Sequence, residues 1–448
     1  MIFNPMRGFS STVLRWFLVA GVLMAVPLSA VAQSAGDGTV YSRFGVGELR
    51  SPSSLQAQPL GGSGTALRSL NYVSLSNPAL WSDQELTRFS ISANYQETSV
   101  EDAAGQTSRT VAGTLEGVHF SFPIYERTLG FAVGFQPVTR TNYRLVVPGT
   151  HEFGSPPETT DFERDFDGRG GLQEITGGLG YRINDAFSIG ASANFIFGII
   201  EETQRTNFAT TEISTSELTD ATRLRGVTGT VGALWSVDEL LASNDNLSIG
   251  ASVTLPANLS GTRTRTLGDG LDRDTLGTAA DGSVDFPWRA KAGVSYQPDD
   301  RWIIALDGQF EPWSEFSSSF DETESGPGAF PVGGTDAVAD RWRIGGGFEF
   351  LPAGESPQGE PFFSQLAYRL GGYAEQTYVK PTDTDQINVF AATGGISLPT
   401  GVAGTRIDLN TEVGTRGTTD SNLVRDVFYS ITIGVNIGER WFQERLLR

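Results

Sequence analysis

The chain has 448 residues, a formal net charge of −20 and no cysteine. Such an acidic balance disfavours nucleic acid as a partner, because phosphate contacts require clusters of lysine and arginine. The absence of cysteine excludes disulfides, cysteine metal sites and thiol chemistry. These properties alone would still fit an acidic soluble protein.

The N-terminus has the three parts of a secretory signal peptide. Two arginines precede an apolar run at residues 16–26, and Ala30-Val31-Ala32 supplies small residues for cleavage. The run is shorter than the roughly 20 apolar residues that a membrane-spanning helix needs. We therefore expect residues 1–32 to be removed on export, with an uncleaved anchor as the alternative.

The next segment does not alternate between apolar and polar residues. Its most apolar part reads LGGSGTALRSLNYVSLSNPALW, residues 60–81. Residues 65–70 could form a short helix with Ser63 as its cap, and Asn77-Pro78 is a turn signal. The stretch is too apolar for a solvated linker, so we expect the rest of the chain to enclose it.

From Thr87 onward the sequence alternates with a period of two. In FSISANYQ, for example, Phe89 and Ile91 fall on one face and Ser90 and Ser92 on the other. This pattern predicts strands with one apolar face, many of them near the roughly ten residues that span a bilayer when tilted. About fourteen strands can be placed, beginning near Thr87, Ser108, Leu129, Leu172, Ala186, Leu224, Asn246, Phe286, Arg301, Arg341, Phe362, Gln386, Thr405 and Val427.

The linkers between these strands alternate between short and long. Outer-membrane barrels have short periplasmic turns and long extracellular loops, so the rhythm predicts a transmembrane antiparallel β-barrel in the outer membrane. An even strand number would place both chain ends in the periplasm. The short linkers are YERT, INDA, PDD and PTGVAG, and the long ones are 146–171, 201–223, 261–285 and 317–340.

The two faces of the predicted strands carry different side chains. Trp235, Trp288, Trp302 and Trp342 share the apolar face, as expected for aromatic girdles at the bilayer interfaces. Charged residues occupy the other face and must point into the lumen, because a charge at the lipid midplane costs a few kcal/mol. We interpret them as a structural network, with a ligand or ion site as the alternative. They are Arg289, Lys291, Asp307, Glu311, Arg343, Glu349, Arg406, Asp408 and Glu412.

The segment ahead of the first strand resembles the N-terminal hatch of FadL-like outer-membrane transporters. The resemblance rests on Gly61, Gly62, Gly64, Asn77, Pro78 and Ala79. It implies a fourteen-stranded barrel at residues 87–442, a hatch at 33–86 inside the lumen and a short tail at 443–448. YSRFGVGEL, residues 41–49, resembles a branch common in Bacteroidetes-like bacteria, and PorV of type IX secretion is similar in build.

The resemblance also implies a route and a function. Hydrophobic molecules would leave sideways through a kink in the third strand, where Gly130, Gly134 and Pro137 stand. The alternative is that the small residues there only pack against the hatch. Ser69 and Leu70 stand where many relatives carry paired acids, so the ligand pocket of the family is not carried over.

We expect a channel for passive uptake of small hydrophobic molecules such as long-chain fatty acids, and not an enzyme. His119 and His151 are the only histidines, and no phosphate-binding, dinucleotide or zinc motif is present. No cofactor or metal is expected. The expected partners are outer-membrane lipid, a hydrophobic ligand and the barrel-assembly machinery, which would read Phe442 as the terminal aromatic. The alternatives are a PorV-like barrel that binds secretion partners and a general porin.

Overall fold

A computed structural model gives the fold of the protein. It describes residues 38–440 except 70, 154–157, 211–213, 241, 269–272, 322–327, 332–333, 355–358, 382–384, 401 and 403. The predicted signal peptide, the predicted tail and Phe442 lie outside the described residues. None of the described helices has the length and apolar character to cross a membrane.

Fourteen antiparallel strands form a closed barrel, as predicted. The last strand pairs with the first from Thr87 opposite Glu439 to Glu101 opposite Arg425, which closes the ring. In chain order the strands are Thr87–Glu101, Thr107–Tyr125, Leu129–Pro137 with Thr139–Phe153, Glu158–Asn184, Phe187–Phe208, Ser216–Asp238, Asn246–Thr254 with Ala257–Leu267, Ala280–Phe286 with Arg289–Gln297, Trp302–Glu311, Arg341–Phe350, Ala367–Gln376, Asn388–Pro399, Arg406–Gly417 and Arg425–Glu439.

Short elements complete the described chain. Two-residue strands lie at Glu48–Leu49, Asp274–Thr275 and Ser317–Ser318. The 3-10 helices are Val40–Arg43, Gln58–Leu60, Pro78–Asp83, Trp313–Glu315, Thr335–Ala337, Phe362–Gln365 and Asp420–Asn422. We call residues 38–86 the hatch, the barrel end with the tight turns at 126–128 and 185–186 the short-turn end, and the opposite end the long-strand end.

Three of the predicted long loops are largely strand. The fourth strand begins at Glu158 and not near Leu172, and the fifth continues to Phe208. Cross-strand ion pairs hold these polar extensions together, for example Arg265 Nε 2.8 Å from Asp220 Oδ1. An apolar face is needed only at the height of the lipid, so the extensions carry no alternation that a period-two search could detect.

The barrel wall is apolar outside, and many of its inward side chains are polar, the reverse of a soluble protein. In the fifth strand Phe195 is 42% exposed on the outer face, whereas the neighbouring Asn194 is only 2% exposed. Trp235, Trp302 and Trp342 also lie exposed on the outer face. This inversion is what a wall in contact with lipid requires.

The lumen at the long-strand end contains a packed apolar cluster. Inward side chains of the fourth to eighth strands meet residues from the long-strand-end connections and from the hatch, whose Tyr41 and Val46 are buried. This part of the lumen is therefore filled by protein. Other members of the cluster are Leu172, Ile196, Ile200, Leu224, Leu259, Val284, Phe286, Trp313, Phe316, Phe330 and Tyr378.

Candidate functional site: a break in the barrel wall and the hatch that fills it

The hatch lies inside the barrel, where the sequence predicted it. Leu60 and Trp81 are both fully buried. The 3-10 helix Pro78–Asp83 packs against the third to sixth strands, and Gln58–Leu60 packs against the tenth to thirteenth strands on the other side. The hatch thus crosses the lumen and contacts opposite walls. The helix expected at 65–70 is absent from residues 65–69, and Ser63 caps no helix.

The hatch glycines allow its backbone to approach the wall. Gly61 has a φ of 69°, and a Cβ there would lie 2.2 Å from the carbonyl oxygen of Gly372. Gly62, with a φ of 86°, faces the guanidinium of Arg343. The backbone N–H of Gly64 donates to Asp307 Oδ2 at 2.9 Å. All three glycines therefore lie against the lumen wall.

Asn77, Pro78 and Ala79 form a helix start and not a free turn. The Asn77 side-chain oxygen accepts the N–H of Ala79 at 3.0 Å, which caps the 3-10 helix Pro78–Asp83. The Asn77 amide nitrogen donates to the carbonyl oxygens of Thr65 and Ala233, at 2.9 and 3.0 Å. One side chain thus caps the helix, ties two parts of the hatch together and anchors both to the sixth strand.

The predicted lumen charges form two chains of ion pairs. In the first, Glu311 lies 3.7 Å from Arg289 and 2.6 Å from Arg341. Arg341 also pairs with Glu375 at 2.8 Å, and Glu375 pairs with the predicted Arg343 at 3.2 Å. Arg341 and Glu375 are not among the predicted lumen charges, although both lie buried on the inward face of predicted strands.

The second chain joins two predicted acids through an arginine that was not predicted. Arg369 pairs with Glu349 and, at 2.9 Å, with Asp408. Its Nη2 also donates to the hydroxyl of Tyr72 at 3.1 Å. All three charged side chains are at most 3% exposed. The network therefore connects the wall strands to the hatch.

The remaining predicted charges lie outside these chains. Arg406 donates to Ser397 Oγ at 2.7 Å, and Glu412 accepts the hydroxyl of Tyr373. Asp307 accepts hatch N–H groups, as described above, and lines a small cavity with Lys291. Lys291 makes no ion pair with the described residues.

His119 and Ser121, two residues apart on the second strand, do not form a hydrogen-bonded pair. His119 is 6% exposed on the inward face of the second strand. Ser121 Oγ donates instead to the Gln84 side chain of the hatch at 3.0 Å. Among residues 38–440, the described histidine, aspartate and glutamate side chains form no group of three or more that could hold a metal ion.

The barrel wall has one feature that the strand count alone does not show. The second strand pairs with the third only from Val118 opposite Phe135 downward to the short-turn end. Beyond that point, residues 107–117 pair only with the first strand, and Thr139–Phe153 pairs with the fourth. Within the described chain, no strand pairing joins these two facing edges. We call the gap between them the wall break.

Local sequence explains where the wall break begins. Pro137 has no N–H to donate, and it ends the first segment of the third strand, Leu129–Pro137. On the neighbouring fourth strand, Gly171 has a φ of 132°, and a Cβ there would lie 2.4 Å from the carbonyl oxygen of Thr139. The seventh and eighth strands are also interrupted. The outer part of the seventh stays paired with the sixth and the eighth, whereas the outer part of the eighth pairs, on the side of the ninth, only with Ser317–Ser318. At the third strand the missing neighbour is covered by the hatch.

The three residues predicted for a lateral gate occupy different places. A Cβ on Gly130 would lie 1.8 Å from the carbonyl oxygen of Trp81, and one on Gly134 would lie 2.4 Å from Leu75. These two glycines therefore lie against the hatch. Only Pro137 lies at the wall break.

The N-terminal part of the hatch fills the wall break. Glu48–Leu49 adds a short antiparallel strand to the third strand, with Leu49 opposite Thr139 and Glu48 opposite Arg140. The Arg50 N–H then donates to the Val138 carbonyl at 2.8 Å. Hatch residues thereby replace the second strand as the neighbour of the third.

Side chains complete the closure on both edges. Arg50 Nη2 lies 2.7 Å from Glu116 Oε1 on the second strand. Further along the third strand, the Asn142 N–H donates to Ser42 Oγ at 3.0 Å. Glu48 pairs with Arg416 of the thirteenth strand. Burial acts to raise the pKa of Glu48, but the guanidinium groups of Arg416 and Arg50 hold that pKa below its usual value.

A cavity of about 460 Å³ remains at the wall break. Leu115, Phe135 and Pro137 give it an apolar side. Arg50, Arg140 and Arg169 lie among its polar lining residues. The cavity thus combines apolar and basic surfaces in the part of the wall where strand pairing is lost.

Solved structures of channels and transporters resemble this barrel. A Pseudomonas aeruginosa FadL homologue has a TM-score of 0.57 and 12% identity, and covers 88% of this chain and 100% of its own. The Ralstonia pickettii toluene transporter TbuX has a TM-score of 0.55 and 16% identity, with coverages of 88% and 99%. The CymD monoaromatic hydrocarbon channel has a TM-score of 0.54 and 13% identity, with coverages of 87% and 98%.

At these identities the structural likeness establishes the fold, which is the FadL-like outer-membrane barrel expected from the hatch. The PorV-like branch stays a prediction. No curated protein matches the sequence. The family model BamG matches residues 14–447, almost the whole chain. The chain is therefore a member of the BamG family.

Proposed function

We propose that this barrel is a passive channel for small hydrophobic molecules and that its wall break is their lateral exit into the membrane. The observation that carries the proposal is the loss of strand pairing beyond Pro137, on a wall whose outer face is apolar. A hydrophobic molecule that leaves sideways avoids the aqueous space beyond the barrel. In this arrangement the short-turn end, where the last strand ends at Glu439, faces the periplasm.

The hatch contacts at the wall break are suited to opening. They consist of the two-residue strand Glu48–Leu49, the Arg50 backbone bond and the Arg50–Glu116 ion pair. Each contributes about 1 kcal/mol net, and a bond to a charged group contributes about 1.5–3 kcal/mol. Displacing this stretch costs far less than breaking the ladders between barrel strands, whose pairs run over seven or more residues.

The rest of the hatch is fixed much more firmly. Leu60, Asn77 and Trp81 are fully buried, and Asn77 alone makes three hydrogen bonds. We therefore assign movement to residues 48–50 and a fixed plug to residues 54–86. Residues 39–46 stay in place, because Tyr41 and Val46 are buried in the apolar cluster. Gly130 and Gly134 serve the plug, because Trp81 and Leu75 occupy the space that larger side chains would need.

The substrate class follows from the apolar side of the cavity at the wall break. Leu115, Phe135 and Pro137 can contact an alkyl chain or an aromatic ring. Two substrate classes are candidates. Long-chain fatty acids are expected from the family resemblance, and monoaromatic compounds such as toluene are the substrates of the structurally similar CymD channel and TbuX transporter.

Uptake by cells tests this function directly. A Gram-negative strain that lacks its own FadL would express the protein and receive radiolabelled oleate or toluene. We expect uptake above that of cells with an empty vector for at least one of the two compounds. Uptake equal to the empty vector for both, with the barrel folded in the outer membrane, would contradict the proposal.

A second function is favoured by the filled lumen and the family name. An apolar cluster occupies the long-strand end, and long polar strands extend beyond the lipid-facing wall. Such a barrel could act through protein partners, as a component associated with barrel assembly, which the name BamG suggests. The PorV-like secretion role belongs to the same class. A general porin would instead require an open lumen.

Native mass spectrometry of the protein extracted from its own membrane separates the two functions. A hydrophobic compound bound to a protein without partners would support uptake. A stable complex with barrel-assembly proteins and no bound compound would support the second function. Planar-bilayer recordings on the same material should show little steady conductance if the hatch and the apolar cluster fill the lumen.

A further inference from the structure

A second large cavity lies at the short-turn end, away from the wall break. Its volume is about 440 Å³, within the range of small-molecule sites. It lies between the hatch and the connections between strands, with Leu86, Ile303 and Leu351 on its apolar side. Arg88, at the start of the first strand, and Arg406, at the start of the thirteenth, both line it.

Arg88 is buried without a counter-charge. It is 2% exposed, and its Nη2 donates to Asn71 Oδ1 at 3.3 Å. Nη1 reaches the carbonyl oxygen of Gly404 at 3.5 Å, and Nε has no hydrogen-bond partner among the described residues. A buried guanidinium without an anionic partner is energetically unfavourable. An anion in the cavity would offset that cost.

Three acids line the cavity, Glu85, Asp300 and Glu349. Two of them already form ion pairs with arginines outside the cavity and do not supply this anion. Glu349 pairs with Arg369, and Glu85 pairs with Arg127. Arg406 bonds to Ser397 and makes no ion pair with any described residue. Arg440 also lines the cavity and likewise has no ion pair in the described part of the chain. Of the lining acids, this leaves only Asp300 without an ion pair to a described residue.

The cavity therefore has an excess of positive charge in a chain whose net charge is −20. We propose that it binds an oxyanion, a phosphate or carboxylate attached to an apolar group. Arg88 and Arg406 hold the oxyanion through charge-assisted hydrogen bonds, and Leu86, Ile303 and Leu351 contact the apolar group. This chemistry fits either a lipid headgroup or a free organic anion. The site lies apart from the wall break and does not depend on the proposed uptake function.

Isothermal titration calorimetry in a non-ionic detergent tests the site with two probes, inorganic phosphate and monododecyl phosphate. We expect at least one probe to bind the wild-type protein and Arg88→Gln to weaken that binding about tenfold or more. The matched control is Arg301→Gln, because Arg301 is exposed at the same end of the barrel and does not line the cavity. The control should bind as the wild type does.

The two probes identify the source of the anion. Tenfold tighter binding of monododecyl phosphate indicates a lipid headgroup, and equal binding indicates a free anion. If Arg88→Gln fails to give a folded, heat-modifiable barrel on gels, Arg406→Gln replaces it in the same comparison. The proposal is overturned if neither probe binds the wild-type protein, or if the cavity variant binds as tightly as the control.

Discussion

Arg50 of the hatch and Glu116 of the second strand form an ion pair of 2.7 Å across the wall break. The backbone N–H of Arg50 also donates a hydrogen bond to the carbonyl oxygen of Val138, which follows Pro137 in the third strand. One residue therefore bridges the two wall strands that have lost their direct pairing. The position of Arg50 decides whether the wall is closed at this point.

Removing the negative charge of Glu116 should favour the open wall. Glu116→Gln loses a charge-assisted hydrogen bond that contributes about 1.5–3 kcal/mol, so the open fraction and the uptake rate should rise about tenfold or more. The control is Glu97→Gln, which removes a similar but exposed pair with Arg109 on the neighbouring strands. Equal uptake by both variants would show that the Arg50–Glu116 pair does not hold the wall closed.

Restoring a backbone N–H at position 137 should extend strand pairing into the wall break. In Pro137→Val, a β-branched residue with an N–H can extend the pairing of the third strand. We expect uptake to fall several-fold while the barrel stays folded. Pro123→Val on the second strand makes the same change inside the paired region, and it should leave uptake unchanged. Unchanged uptake in Pro137→Val with an intact barrel would argue against a lateral exit here.

The close docking of the fixed part of the hatch against the barrel wall should require glycine at position 61. Gly61→Ala places a methyl group 2.2 Å from the carbonyl oxygen of Gly372 and forces an alanine into a positive φ. Gly105→Ala is the matched control, because Gly105 has a φ of 77° and no atom within 4 Å of its Cβ position. Proteinase K should cleave the hatch faster in Gly61→Ala than in the control. Equal cleavage rates would contradict the close docking.

Interrupting the buried charge network should lower the free energy of unfolding. Arg369→Met leaves Glu349 and Asp408 without their shared cation, and all three side chains are at most 3% exposed. We expect a loss of about 3–5 kcal/mol in the free energy of unfolding. The exposed pair Arg425–Glu101 supplies the control, and Arg425→Gln should cost less than about 1 kcal/mol. Urea unfolding followed by tryptophan fluorescence measures both.

The sequence was sufficient to predict the barrel because its lipid-facing wall imposes a period of two. Phe195 and Asn194 illustrate the signal, one exposed to lipid and one buried in the lumen. The polar strand extensions could not be predicted in this way, because beyond the lipid neither face has to be apolar. Glu158 therefore begins a strand in a segment that resembles a loop.

The candidate site was only partly predictable for a different reason. Pro137 is a local signal, since proline interrupts a strand wherever it stands. Arg50 carries no such signal, because its role depends on Glu116 and Val138, which are distant in sequence and meet only in the folded barrel. The same holds for Arg369, which joins two acids from different strands.

The most direct test of the proposed exit is a disulfide that locks the hatch to the wall. Leu49 lies opposite Thr139 in an antiparallel pair, a geometry that suits a disulfide, and the chain has no cysteine of its own. A Leu49→Cys/Thr139→Cys variant is compared with Leu409→Cys/Ile433→Cys, an opposed pair within the wall.

Uptake of radiolabelled oleate or toluene is measured for both variants, oxidised and then reduced. The lateral-exit account predicts that oxidation lowers uptake about tenfold or more in the hatch variant alone, and that a reductant restores it. Full uptake by the oxidised hatch variant, with the disulfide confirmed by mass spectrometry, would contradict the account.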